Sequence, residues 1–172
     1  ASSTFTVTNN NPIPEQLTED GVTIKMPEFV HDYHKWWHQG HVWLETTWMG
    51  ALAQKQPMDL WQYQEVLYEI MPSLFIEIGT RFGGATLFFD GVMRTLHEEA
   101  GGRYRLLTVD IQHSVVDPKV RHRPNVEMLE APSASLRVQT RVRELRAEFP
   151  GAMFVILDAD HGMDNVTLEL QM

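Results

Sequence analysis

The chain has 172 residues and is 43% hydrophobic, which is enough for one core of ordinary size and predicts one main domain. Its net charge is −9 and its lysines and arginines are scattered, which argues against a nucleic-acid partner. The absence of cysteine excludes a disulfide scaffold, a thiolate nucleophile and cysteine-based zinc or iron–sulfur sites.

Residues 1 to 27 are rich in Thr, Asn and Pro and lack helical or strand periodicity. We expect them to form an N-terminal arm, followed by a main domain over residues 28 to 172. The arm has neither the basic start nor the apolar stretch of a secretory signal, and no apolar run approaches the roughly 18 residues of a membrane span. We therefore expect a cytoplasmic protein with no membrane partner.

Aromatic side chains are dense between residues 28 and 48, where they are Phe29, Tyr33, Trp36, Trp37, Trp43 and Trp48. Exposed aromatic patches of this density promote association between proteins. The segment is therefore predicted to be helical and covered by another surface, and we expect a homo-oligomer.

Four histidines in the same segment are separated by 3, 4 and 3 residues: His31, His34, His38 and His41. This spacing would align the imidazoles on one helix face, where they could bind a transition metal. The alternative is a polar stripe opposite the aromatic side chains. We favour the stripe because no zinc motif such as HExxH accompanies the histidines.

Beyond this segment, helical and strand patterns alternate. Apolar residues recur at helical spacing from Asp59 to Met71, with Asp59 suited to cap the helix and Pro72 ending the pattern. Later apolar runs predict strands at 74–78, 105–110, 126–129 and 152–157, with helices at 85–99 and 135–148. This alternation predicts an α/β fold with a doubly wound parallel sheet.

The first candidate site is the glycine-rich turn in IEIGTRFGGATLFF, which follows the first of these strands. Gly79, Gly83 and Gly84 allow the backbone to turn sharply and to approach a ligand at a helix N-terminus. The spacing is not GxGxxG, and Glu77 at the strand end suits a cationic ligand better than a pyrophosphate. A tight loop that needs glycine only for its backbone angles is the alternative.

Asp110 ends the second strand, in LLTVDIQ. An acidic residue at this position after a glycine loop is placed to bind ribose hydroxyls. An aspartate that caps a turn is the alternative. Together with the glycine loop, Asp110 favours ligand binding.

The third candidate site is ILDADHGMDN, where Asp158, Asp160 and His161 follow the last predicted strand. Carboxylates at this edge of the sheet can bind Mg²⁺, and the imidazole of His161 can serve as a general base. The alternative is that these acids cap the following helix, for which Asp164 is also suited.

Several segments together resemble the cephalosporin hydroxylase and rhamnosyl O-methyltransferase family. They are TTWMG at 46–50, KQPMDLWQYQEVLYEIMPSLFIEIGTRFGGATLFF at 55–89, VDI at 109–111 and LDADH at 157–161. The resemblance covers the chain from about residue 43 to its end. It implies a Rossmann-like, class I methyltransferase fold that binds S-adenosylmethionine and Mg²⁺.

The resemblance also implies roles for individual residues. Those around the methionine and ribose parts of the cofactor would be Glu77, Gly79, Thr80, Gly83 and Gly84. Asp110 would bind the ribose hydroxyls, and Ser133 would lie near the adenine, although Pro132 stands where a glycine is usual. Asp158 would be a metal ligand with Asp160 as its rival, and His161 would be the catalytic base.

We therefore expect an S-adenosylmethionine-dependent, Mg²⁺-assisted O-methyltransferase acting on a hydroxyl of a sugar or small natural product, as in antibiotic biosynthesis. A hydroxylase-type or partnered tailoring enzyme and a non-catalytic S-adenosylmethionine-binding subunit are the alternatives. The family fold continues beyond a fourth strand, whereas this sequence ends at Met172. Because AMFVIL would then be an apolar sheet edge, we expect either a longer chain or another chain covering it.

Overall fold

The computed structural model describes residues 16–19, 22–25 and 28–171, so most of the predicted arm lies outside the described residues. The chain divides into two compact units, with the boundary between Val42 and Trp43. No described helix is both long and apolar enough to cross a membrane.

The first unit contains two short strands and one helix. Strands β1 (Gln16–Glu19) and β2 (Val22–Lys25) pair antiparallel, and helix α1 spans Glu28–Gln39. Three of the four predicted histidines lie on α1, but His41 lies beyond its end with a positive φ of 55°. The predicted row of four histidines on one helix is therefore wrong at its last member, because the helix ends first.

The second unit begins with a 3₁₀ turn, a small hairpin and a long helix. Strands β3 (Thr47–Trp48) and β4 (Ala51–Leu52) pair antiparallel, and helix α2 spans Pro57–Ile70. The prediction that Asp59 caps α2 is wrong, because the helix begins two residues earlier with Pro57 in its first turn. Asp59 instead lies in that first turn, where its charge favours the helix dipole.

Four described strands form the central sheet. They are β5 (Leu74–Ile78), β6 (Arg105–Asp110), β7 (Val126–Glu130) and β8 (Met153–Leu157). Their order is β7-β6-β5-β8 and all pairs are parallel, as the sequence predicted. The chain moves outward from β5 to β7 and then returns to the other side of β5. The carboxyl ends of β5 and β8 therefore flank the switch point at which open α/β sheets bind ligands.

Helices cover both faces of this sheet. The helices that follow the four strands and their loops are α3 (Gly84–Ala100), α4 (Pro118–Arg121), α5 (Leu136–Glu148) and α6 (Met163–Leu170). Val138 and Leu145 of α5 pack on one face of the sheet, and α2 and α3 pack on the other through Leu67 and Phe89. The predicted doubly wound arrangement is confirmed.

Strand β8 is at the edge of the sheet and, among the described residues, pairs only with β5. Its side chains Met153 and Val155 are 40% and 44% exposed. The edge that the sequence predicted is therefore apolar and open within the described part of the chain. Helix α6 follows β8, with Gly162 at its N-cap and Asp164 in its first turn, so the predicted capping role of Asp164 is wrong.

Candidate functional site

The glycine loop connects β5 to α3 and packs tightly against its neighbours. A Cβ on Gly79, which has a φ of 106°, would lie 2.3 Å from the carbonyl oxygen of Asp158. A Cβ on Gly84 would lie 2.4 Å from the carbonyl oxygen of Leu52. Both positions therefore require glycine for packing, and at Gly79 the backbone angle adds the reason that the tight-loop alternative gave. The same close approach brings the end of β5 against the residue that follows β8.

Glu77 lies in β5 below this loop, and only 1% of its surface is exposed. Its carboxylate accepts hydrogen bonds from the hydroxyls of Thr86, at 2.5 Å, and Thr108, at 2.6 Å. Burial raises the pKa of Glu77 to about 7, against the opposing effects of these hydrogen bonds and of the Lys55 charge. The buried carboxylate of Glu77 therefore connects β5 with α3 and β6 next to the glycine loop. The sequence did not predict this hydrogen-bond network.

The network continues to the side chain of Thr80. The hydroxyls of Thr80 and Thr108 are 2.6 Å apart, and Thr80 Oγ1 lies 3.3 Å from Nε2 of the buried His113. Burial lowers the pKa of His113, and the charges of Asp110 and Glu130 partly oppose this shift. A chain of buried polar side chains thus connects the loop after β5 with the loop after β6.

Asp110 joins the same two loops at the surface. Its Oδ2 accepts a hydrogen bond from the backbone N–H of Arg81 at 2.8 Å, and its Oδ1 accepts one from Gln112 at 3.3 Å. The second bond is the turn-capping role that the sequence left open as an alternative. The first bond places the carboxylate directly beside the glycine loop.

Ser133 is positioned by the C-terminal helix of the described chain. Its hydroxyl donates to Oε1 of Glu169 at 2.5 Å, and the same oxygen accepts from the Asn165 amide at 2.8 Å. Glu169 is buried although it carries a carboxylate. This contact between the loop after β7 and α6 was not predicted.

The end of β8 carries the third predicted group. Asp158 forms an ion pair with Lys55, and its Oδ1 lies 4.0 Å from Nε2 of His161, whose side chain is 72% exposed. Asp160 accepts a hydrogen bond from the N–H of Gly162 at 2.9 Å, but no side chain caps the first turn of α6 itself. Among the described residues, no three His, Asp or Glu side chains are grouped so that they could hold a metal ion.

Lys55 was missed because it is 103 residues before its partner. It lies between β4 and α2, and its side chain is mostly buried. Burial lowers the pKa of Lys55, while the charges of Glu77 and Asp59 oppose that shift.

A cavity of about 300 Å³ lies at the switch point, within the size range of ligand pockets. Its lining includes Gly79, Thr80, Asp158 and His161. The other predicted cofactor residues are not among those that line it: Glu77, Gly83, Gly84, Asp110 and Ser133. A second, mainly apolar cavity of about 750 Å³ shares Ala53 with the first and includes Lys55 in its wall.

Comparison with known proteins points to one family. The sequence model of the Rhamnosyl O-methyltransferase/CmcI family matches residues 40–172. The rhamnosyl O-methyltransferase of Mycobacterium leprae (strain TN) is 43% identical over 143 residues, which are 83% of this chain and 60% of that protein. A rhamnosyl O-methyltransferase of Mycobacterium bovis (strain BCG / Pasteur 1173P2) is 40% identical over 143 residues, 83% of this chain and 57% of its own. The chain thus spans about 60% of the length of these relatives.

Solved structures of CmcI have the same fold. A Mg-SAM form superposes with a TM-score of 0.60 at 19% identity, covering 72% of this chain and 50% of that one. A form named for SAH gives a TM-score of 0.55 at 20% identity, covering 71% of this chain and 52% of that one. These similarities confirm the predicted α/β architecture.

Proposed function

The chain belongs to the Rhamnosyl O-methyltransferase/CmcI family, and we propose that it forms the S-adenosylmethionine-binding part of an O-methyltransferase. The acceptor is a hydroxyl group of a sugar or another small natural product. A rhamnosyl hydroxyl is the first acceptor to test, because the curated relatives are named for it. The function rests on the family and on the site at the carboxyl edge of the sheet.

The observation that carries this proposal is the meeting of the ends of β5, β6 and β8 at the switch point. The loop after β5 contacts the residue after β8 through Gly79, and its Arg81 N–H donates a hydrogen bond to Asp110 at the end of β6. The cavity of about 300 Å³ opens at this junction. A parallel α/β sheet binds its ligand at this place.

The residues fit a cationic cofactor that carries a ribose. In this proposal Gly79, Thr80, Gly83 and Gly84 approach it by their backbone, and Glu77 stabilises the loop from below. The free lone pairs of the Asp110 carboxylate accept the ribose hydroxyls, and Ser133 lies toward the adenine. S-adenosylmethionine supplies an electrophilic methyl group when it is bound.

His161 is proposed as the base that takes the proton from the acceptor hydroxyl. Its exposed imidazole borders the cavity and lies 4.0 Å from Oδ1 of Asp158, so the carboxylate can orient it. Removal of this proton makes the acceptor oxygen a better nucleophile.

We also propose that Asp158 and Asp160 hold Mg²⁺. Mg²⁺ retains several waters and often takes only one or two protein carboxylates, so two acids at the end of β8 fit this ion. Asp160 keeps one oxygen outside the bonds described above, and Oδ1 of Asp158, 4.0 Å from His161, would serve both the imidazole and the ion. The ion would supply a Lewis acid for the acceptor oxygen.

A homo-oligomer is part of the proposal. Trp36 on α1 is 56% exposed, and the apolar edge of β8 is open among the described residues. Association would bury such surfaces. Static light scattering at micromolar protein tests this, and a monomeric mass would reject it.

The function is tested by calorimetric titration with S-adenosylmethionine, followed by mass-spectrometric detection of methyl transfer to a rhamnoside. We expect saturable binding and a methylated product. Binding without transfer to any hydroxyl acceptor would favour the non-catalytic subunit, and the absence of binding would reject both. Oxygen incorporation into the acceptor would favour the hydroxylase-type alternative.

A further inference from the structure

Lys55 is held both at its backbone and at the end of its side chain. Its backbone N–H donates to Oγ1 of Thr46 at 3.0 Å, and its ammonium group forms the ion pair with Oδ2 of Asp158. Thr46 also accepts backbone hydrogen bonds from Ala53 at 2.8 Å and from Gln54 at 3.3 Å. The segment that carries Lys55 is therefore anchored before the side chain crosses to the end of β8.

The ammonium group of Lys55 has Asp158 as its ion-pair partner, and two further acids contribute to the charge around it. Its charge acts on Glu77 and Asp59 in addition to its partner Asp158. Only 13% of the Lys55 side chain is exposed, so water screens this charge less than it would at the surface. The end of β8 therefore already contains one cation supplied by the protein.

We propose that Lys55 is the resident counter-cation of Asp158 and weakens the binding of divalent metal ions there. The inference rests on the proposed Mg²⁺ site. A divalent ion that binds Asp158 must either share the carboxylate with the ammonium group or displace it. In both cases the positive charge of Lys55 opposes the binding of the ion.

The test measures metal binding rather than activity. MnCl₂ is titrated calorimetrically into the purified full chain and into Lys55→Met and Lys55→Arg. We expect Lys55→Met to bind Mn²⁺ at least about fivefold more tightly than the unmodified protein. The positive charges of the ammonium group and of the metal ion, both next to the Asp158 carboxylate, repel each other even at the dielectric constant of water. Lys55→Arg keeps the charge and should stay within about twofold of the unmodified protein.

Two controls test whether the change in Mn²⁺ affinity is specific to the pair of Lys55 and Asp158. Lys119→Met removes a lysine that pairs with Asp117 instead, at 3.4 Å, and should leave Mn²⁺ affinity unchanged. Asp158→Asn combined with Lys55→Met should remove the gain. If Lys55→Met does not fold by circular dichroism, Lys55→Gln carries the same expectation.

An equal or weaker Mn²⁺ affinity in the neutral variant would overturn the inference, and so would the absence of Mn²⁺ binding in all variants. Titration of the same samples with S-adenosylmethionine keeps this result separate from the proposed function. If the cofactor binds while Mn²⁺ does not, the cofactor site stands and the role of Lys55 is rejected.

Discussion

Replacing Glu77 by glutamine should remove a pH-dependent loss of stability. The folded protein holds the Glu77 proton more tightly than the unfolded chain, because burial raises the pKa from 4.5 to about 7. Ionising this carboxyl group therefore opposes folding. The stability that Glu77 contributes is present below about pH 4.5 and is lost as pH rises through about 7.

The pKa shift sets the size of the effect. One pH unit of displacement corresponds to about 1.4 kcal/mol, so the change from 4.5 to about 7 corresponds to at most about 3 kcal/mol. Glutamine keeps a carbonyl oxygen that can accept from Thr86 and Thr108. Its amide nitrogen adds a stability difference that does not depend on pH.

The assay is urea unfolding followed by tryptophan fluorescence, from about pH 5 to about pH 8.5. The free energy of unfolding of Glu77→Gln minus that of the unmodified protein should increase by up to about 3 kcal/mol across this range. Glu65→Gln makes the same chemical change at an exposed position of α2 and should give a difference that is nearly constant. A constant difference for Glu77→Gln would refute the assignment of a raised pKa to this group.

Three further predictions test the site and its packing. Asp110→Ala should weaken S-adenosylmethionine binding in calorimetry by about 1.5–3 kcal/mol, since it removes hydrogen bonds to a charged acceptor; an unchanged dissociation constant would remove Asp110 from the site. His161→Ala should slow single-turnover methyl transfer about 10²–10⁴-fold with little change in cofactor affinity, and a retained rate would place the base elsewhere. Gly84→Ala should lower the unfolding free energy by about 1–3 kcal/mol, because its Cβ would lie 2.4 Å from a backbone oxygen of β4. Gly91→Ala on the same helix meets nothing within 4 Å and should be neutral or stabilising in the same urea unfolding assay; equal losses for the two variants would contradict the packing argument.

The sequence predicted the sheet because β5 and the middle of β6 are buried and mostly apolar, and β8 is an apolar run although its edge is exposed. It predicted α3 and α5 from helical periodicity. The small elements were not predicted, because β3 and β4 have two residues each and α4 has four, too few to show a period. The start of α2 was misplaced because Asp59 was preferred as a cap over Pro57 as a first-turn residue.

The site was predictable where its residues follow strands directly. Asp110 and Asp158 come at the ends of apolar runs, and the parallel sheet brings those ends together. The supporting residues were not predictable, because Thr108 faces Glu77 only through the pairing of β5 with β6. Lys55 precedes Asp158 by 103 residues in the sequence, and no local pattern indicates that contact.

The close approach of Gly79 to Asp158 limits how the loop after β5, the proposed cofactor loop, can be redesigned. Any side chain at Gly79 would overlap the backbone of the neighbouring loop, and the backbone angle is itself unfavourable for other residues. A mutant library that aims to accept modified cofactors should therefore keep this position fixed. Diversity belongs instead at Phe82, which lines the cavity, whereas Arg81 beside it has a positive φ of 44° and is itself constrained.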